Sequence, residues 1–304
     1  MIAPPFIFDR ETHTGRLRRA ARGFNGADFL KRRASDDLVA RLEVINRRFP
    51  IAVDLGSRTG TFGSALAASD AAQKIELLIE TDLAEAMLGR PSVVRLVVDE
   101  ERLPFAEAGL DLVVSSLALH WVNDLVGALI QIRRALKPDG LMIAAVLGGA
   151  TLTELRQCLL TAEAEIRGGA GPRVSPFVDA ADGADLLRRA GFALPVVDTD
   201  TITVRYDHPL GLLADLRAMG ETGALLDRPT LPLTKGLLAR TCEIYAETFA
   251  EPGGRVPATF EIITLTGWAP HPDQQKPLRP GSAKARLADA LGVAERDAGE
   301  RAGR

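Results

Sequence analysis

The chain has 304 residues, of which 46% are hydrophobic and 25% charged, enough to bury one large core or a domain with an insertion. A net charge of −3 gives no global case for nucleic acid, whose binders carry a strongly basic balance or face. Cys158 and Cys242 show no C-x-x-C spacing, which argues against a disulfide framework or a zinc site and fits a reducing cytoplasm; no apolar run approaches the roughly 18 residues that cross a bilayer, and a signal peptide's basic-then-apolar order is missing from the start, so a soluble protein is expected.

Residues 1–33 open with Pro4-Pro5-Phe6-Ile7-Phe8-Asp9-Arg10 and carry Arg16, Arg18, Arg19, Arg22, Lys31, Arg32 and Arg33. Asp9, Glu11 and Asp28 dilute that charge, so a solvated helix over the mouth of the site is preferred to a patch that docks an anionic surface. Residues 36–49, with Leu38, Leu42 and Ile45 at helical spacing, read as an amphipathic helix delivering the chain to its first strand. Together residues 1–50 make a helical cap.

Residues 51–63 read as strand, glycine turn and helix N-terminus: Ile51-Ala52-Val53-Asp54-Leu55, then Gly56-Ser57-Arg58-Thr59-Gly60-Thr61-Phe62-Gly63. Gly56 and Gly60 permit close approaches that a Cβ forbids, and the following helix offers free N–H groups and a positive dipole end, so a nucleotide-like ligand suits the turn. Asp54 stands at the carboxyl end of the strand, where open α/β sheets build their crevice, and suits an amine. The dinucleotide pattern G-x-G-x-x-G would need a glycine where Arg58 stands; the acid-x-Gly-x-Gly-x-Gly pattern of S-adenosylmethionine enzymes fits Asp54, Gly56 and Gly60, with Arg58 replacing its middle glycine. Arg58 is expected to point out of the turn, towards a ligand carboxylate or solvent, because an unpaired buried charge is costly.

A helix over 62–68 leads to a second strand over 75–80, and Asp82 then caps a helix over 82–88; an acid here accepts hydrogen bonds from ribose hydroxyls, with Glu80 the competing candidate and Leu83 beside it. A third strand over 93–98 ends in Asp99-Glu100, and an acid at this place, followed by Leu103-Pro104-Phe105, resembles the one with which S-adenosylmethionine-dependent methyltransferases hold the adenine amino group. A fourth strand over 110–116 carries Ser115 and runs into Leu119-His120-Trp121-Val122-Asn123-Asp124; a helix over 130–136 and a strand over 141–146 complete five units of a doubly wound, mostly parallel α/β sheet over residues 51–150. His120 suits orienting or deprotonating a substrate, and Trp121 suits packing on a cofactor or a guanidinium plane.

Residues 151–270 complete the fold: helices over 151–167 and 182–190, a strand over 196–206, its partner over 260–268, and between these two a helical insertion over about 209–250 that caps the substrate side. Residues 271–304 are rich in proline, glycine and charge and read as a disordered tail with a short helix near 283–291.

Over residues 51–147 the chain resembles class I S-adenosylmethionine-dependent methyltransferases, through the glycine turn, Leu103-Pro104-Phe105, His120 to Asp124 and Leu136-Lys137-Pro138-Asp139-Gly140. Over about residues 6–270 it is similar to the methyltransferase-like assembly factors of respiratory complex I, through Val113 to Leu125, Ser175-Pro176-Phe177, Met219-Gly220-Glu221 and Val256-Pro257-Ala258-Thr259. The resemblance implies the class I fold with a late antiparallel hairpin, S-adenosylmethionine as cofactor, and a protein substrate, a complex I core subunit. It implies a place in the cytoplasm or at the inner face of the respiratory membrane, with peripheral membrane contact. Asp54, Gly56, Ser57, Arg58, Gly60, Asp82, Leu83, Asp99, Glu100 and Ser115 are its cofactor residues, and His120 and Trp121 its catalytic candidates.

Three chemistries stay open. Methyl transfer needs positioning and little else, since the sulfonium carries the driving force. Arginine hydroxylation, the reaction the resemblance implies for the mitochondrial family members, would usually need a metal or redox group, and His13, His120, His208 and His271 lack facial-triad spacing; no metal ligands are assigned. A non-catalytic assembly chaperone is the third, and an NAD-dependent oxidoreductase is disfavoured by the missing fingerprint glycine.

Overall fold

A computed structural model of the chain describes residues 6–89, 94–229, 232–274, 289 and 292–294. Residues Met1–Pro270 form one compact unit. In chain order its elements are α1 (Arg10–Ala20), α2 (Phe29–Val44), β1 (Phe49–Leu55), α3 (Thr61–Ala67), β2 (Ile75–Asp82), β3 (Val94–Val97), β4 (Leu110–Ser116), α4 (Leu125–Ala135), β5 (Leu136–Leu147), α5 (Thr153–Arg167), α6 (Ala180–Ala190), β6 (Ala193–Tyr206), α7 (Pro209–Met219), α8 (Lys235–Phe249) and β7 (Val256–Trp268).

The seven strands lie in the order β3-β2-β1-β4-β5-β7-β6. The first five are parallel, and β7 inserts antiparallel between β5 and β6, so the chain reverses direction only in the late hairpin. Alternation along β4 sends Leu112 and Val114 into one core and Val113 into the other. The first core collects Leu38 and Leu42 of α2, Phe62 of α3, Leu155 of α5 and Tyr245 of α8; the second collects Leu129 and Ile132 of α4 and Leu187 of α6. Both faces are therefore covered, which is why β1, β4 and β5 read as nearly continuous apolar runs. Asp124 and Asp179 accept the backbone N–H groups of Gly127 and Ala181 at the starts of α4 and α6, and Gly191 and Gly220, at φ +85° and +79°, end α6 and α7.

Two expectations change. The helix expected over 82–88 is a single 3-10 turn, Glu85–Met87: Asp82 is the last residue of β2, and Gly89 and Pro91 follow too soon for a helix to propagate. No helix is described between β3 and β4, where residues 98–109 form a loop. The helix expected over 36–49 instead spans Phe29–Val44, so its first turn reaches back to Lys31. Lys31, Ser35, Leu38 and Leu42 share one face at helical spacing and are all buried, so Lys31 belongs to no solvated basic patch. The tail's expected disorder and its short helix near 283–291 fall almost wholly outside the described residues.

Candidate active site

The turn after β1 holds three left-handed residues within five: Gly56 at φ +70°, Arg58 at +53° and Gly60 at +80°. At Gly56 the glycine is compulsory, since a Cβ would stand 2.2 Å from the Ala118 Cβ across the crevice. Gly60 is the N-cap of α3. Ser57 ties the turn to β2 through its N–H to the Thr81 carbonyl at 2.7 Å, and Ser115 ties β4 to β1 by donating to the Leu55 carbonyl at 2.9 Å. Both serines are fully buried and hold the frame of the crevice.

Arg58 does not point outward. Its side chain is 2% exposed, and its Nη1 donates to Asp82 Oδ2 at 2.9 Å while its own backbone N–H reaches the same oxygen at 3.0 Å. Asp82 Oδ1 accepts from the Ala84 N–H at 2.9 Å. The expectation failed because it supposed that a buried guanidinium would lack a partner, whereas the acid at the end of β2 supplies one. Glu221, just past the glycine that ends α7, lies 3.8 Å from Arg58 Nη2.

The same glutamate gathers both catalytic candidates. Its Oε2 accepts from the Trp121 indole N–H at 2.6 Å and lies 3.2 Å from His120 Nε2. Although burial alone would raise it, its contacts with His120, Arg58 and His13 hold its carboxyl down at about 2. The imidazole of His13 stacks on the Trp121 ring at 4.3 Å, and burial pushes its pKa well below the usual imidazole value. Phe8 meets the indole edge-on at 5.2 Å.

Asp54, at the end of β1, is fully buried and has no hydrogen-bond partner on either carboxylate oxygen among the described residues. Burial pushes it up to about 7, and Lys31 only partly offsets that. Lys31 extends from α2 to place its ammonium 2.8 Å from the Gly56 carbonyl and against the Ser116 carbonyl; burial brings it down to about 8. At the end of β3, Arg10 of α1 binds Asp99 at 2.8 Å and also the buried Glu100, whose pKa burial raises. Leu83 is half-buried next to Asp82.

All the expected residues thus surround one crevice at the carboxyl ends of β1, β2, β3 and β4. Arg10, His13, Lys31 and Glu221 join them without having been singled out from the sequence. Of these, only Glu221 carried a signal there, within the Met219-Gly220-Glu221 block.

Beside the crevice, between the sheet and the helical cap, lies a cavity of 380 Å³ walled by Leu147, Leu155, Phe177 and Phe260, with Trp121 and Glu221 on its surface. The crevice and this cavity share that indole and that carboxylate.

Residues 53–144 match the family model described as a methyltransferase domain. The arginine hydroxylase NDUFAF5 of Homo sapiens is 41% identical over 284 residues, covering 91% of this chain and 81% of that protein, and the Danio rerio protein of that name is 39% identical over 267 residues, covering 86% and 82%. The chain belongs to the class I methyltransferase-fold family that contains NDUFAF5. A malonyl-[acyl-carrier protein] O-methyltransferase of Gallionella capsiferriformans is 32% identical over 278 residues, covering 88% of this chain and 93% of that one. The fold is also that of the YcgJ protein of Bacillus subtilis, with a TM-score of 0.53 at 14% identity over 78% of this chain and 98% of that one.

Proposed function

We propose that this chain is an adenosylmethionine-dependent enzyme that modifies an arginine side chain of a protein, a core subunit of respiratory complex I. The observation that carries the reading is the identity of about 40% with arginine hydroxylases over more than four-fifths of both chains. The cavity contributes apolar walls, the Trp121 indole and the Glu221 carboxylate, which suit a methylene stem and a planar head, while Arg16, Arg173, Arg217 and Arg228 also line it. In this reading Glu221 and Trp121 bind the guanidinium, and His120, held by Glu221, orients it and takes or gives a proton at Nδ1, the nitrogen without a partner among the described residues.

The donor set suits the cofactor. Asp54, with two orphaned oxygens, faces where an ammonium belongs; Asp82 is the ribose acid; Asp99 and Glu100 stand on the adenine side; and Gly56, Ser57, Gly60, Leu83 and Ser115 shape the walls. Adenosylmethionine would supply an electrophilic sulfonium methyl group when bound, which serves methyl transfer; hydroxylation would in addition draw its oxygen atom from molecular oxygen, with a two-electron reductant to take the second oxygen to water.

A second reading, methyl transfer to the same protein, is favoured by the relatives named methyltransferases. Mass spectrometry separates the two. Cells with and without this chain are compared at the complex I core subunits: an added oxygen on arginine supports hydroxylation, an added CH₂ supports methyl transfer. A subunit carrying neither mark while complex I still fails to assemble would leave a scaffold and defeat both.

A further inference from the structure

We propose that Arg58 and Lys31 are internal occupants of the adenosyl site, and that the cofactor enters by displacing the Arg58 guanidinium from Asp82. The inference rests on the cofactor reading above and adds to it a competitor built into the chain.

Three observations converge. Asp82 is the residue that would accept the ribose hydroxyls, yet Oδ1 is taken by the Ala84 N–H and Oδ2 by both the N–H and the guanidinium of Arg58. Lys31 places a primary ammonium on the Gly56 and Ser116 carbonyls, beside Asp54, where the turn would receive the amine of an amino-acid tail. Lys31, Arg58, His120 and Glu221 close around a free space of only 30 Å³, so the two cations leave little room between the turn and Glu221. The charge of Asp82 is thus answered by a side chain of the chain itself.

The filling is imperfect, which marks it as replaceable. Asp54 Oδ1 and Oδ2, Arg58 Nη2, His120 Nδ1 and His13 Nδ1 are buried without hydrogen-bond partners among the described residues, and all of them belong to this one region. Interiors leave few such atoms, and a concentration of them marks where another molecule's polar groups belong. Arg58 also holds φ +53°, a conformation at which a glycine is relaxed and an arginine strained. A second station is within reach: Arg58 Nη2 is already 3.8 Å from Glu221 Oε1. A guanidinium released from Asp82 keeps a carboxylate partner there, while Asp82 Oδ2 becomes available to a ribose.

Isothermal titration of the full chain with adenosylhomocysteine and with adenosylmethionine tests this. Arg58→Gly relaxes the turn and removes the competitor, and should tighten both ligands by roughly tenfold or more, because apparent affinity is reduced by the fraction of molecules in the competent state. Arg58→Met, which keeps the apolar stem and removes the cation, should tighten them in the same direction and serves if the glycine variant is not folded by circular dichroism. Lys31→Met should favour adenosylmethionine over methylthioadenosine, which lacks the amine, relative to wild type. Wild-type affinity, or weaker, in a folded Arg58 variant overturns the displacement while leaving the cofactor reading intact. Failure of every variant to bind any adenosyl ligand overturns both.

Discussion

Asp54 and Lys31 form a buried pair whose charges are each opposed by burial, and the two titrate in opposite senses. The Asp54 carboxyl is raised from 3.8 to about 7, so the folded state holds its proton more tightly than the unfolded chain does. That stabilising term is complete below pH 3.8 and is lost as pH rises through about 7. Lys31 is lowered from 10.5 to about 8, so its term is complete above pH 10.5 and is lost as pH falls through about 8. Asp54→Asn keeps the shape and removes the first term alone. In urea unfolding across this range, the variant should gain stability relative to wild type as pH rises from 3.8 to about 7. Parallel profiles would show that the carboxyl is not buried as the structure has it. At the same scale, an Arg58→Gly variant removes the guanidinium from Asp82 and not from solvent, as the outward orientation expected from the sequence would have had it.

The elements show what the sequence made legible. Period-2 alternation and apolar runs located β1, β2, β4 and the β6–β7 hairpin to within a few residues, because each strand's burial pattern is written in its own residues. Terminal acids and glycines located the crevice for the same local reason. What escaped depended on partners far away in sequence. Lys31 looks solvated until α2 is docked and its ammonium meets two backbone carbonyls from β1's turn and β4's end; Arg58 looks costly until Asp82 is brought 2.9 Å away; Arg10 looks like one more surface cation until Asp99 and Glu100 face it. The turn between β1 and α3 can be tested as an element. Gly56→Ala combines a left-handed φ with a Cβ 2.2 Å from Ala118, and should destabilise the fold by about 2 kcal/mol or more, from the left-handed backbone plus overpacking. Gly236→Ala, in α8, meets nothing within 4 Å, has an ordinary φ, and is the control, expected to be neutral or slightly stabilising in the same melts.

At the scale of the whole molecule, the site is assembled from nearly every part of the first unit: α1 contributes Arg10 and His13, α2 Lys31, the ends of four strands their acids and His120-Trp121, and the segment after α7 Glu221. The N-terminal segment is fastened to that same region, with the Asp9 N–H on the Ala224 carbonyl at 2.8 Å and the Ile7 and Phe8 N–H groups both 2.7 Å from Asn123 Oδ1. Glu221 is therefore the point at which cap, turn and sheet meet, and it is the group whose charge all three require. Its pKa is depressed from 4.5 to about 2, so its stabilisation is present above pH 4.5 and lost as pH falls through about 2. Glu221→Gln should cost about 1–3 kcal/mol near neutrality, the scale for removing a charged partner from buried donors. The deficit should shrink as pH drops from 4.5 towards 2, where the wild-type carboxylate is itself being neutralised. Trp121 reports the event directly, since its indole N–H is bonded to Glu221 Oε2 and its ring is stacked on His13. Its fluorescence and near-ultraviolet circular dichroism should change in Glu221→Gln at neutral pH and in wild type at acid pH in the same direction. If the variant melts like wild type and leaves the Trp121 signal unmoved, then Glu221 does not join the cap to the crevice, and the cavity and the crevice are separate compartments.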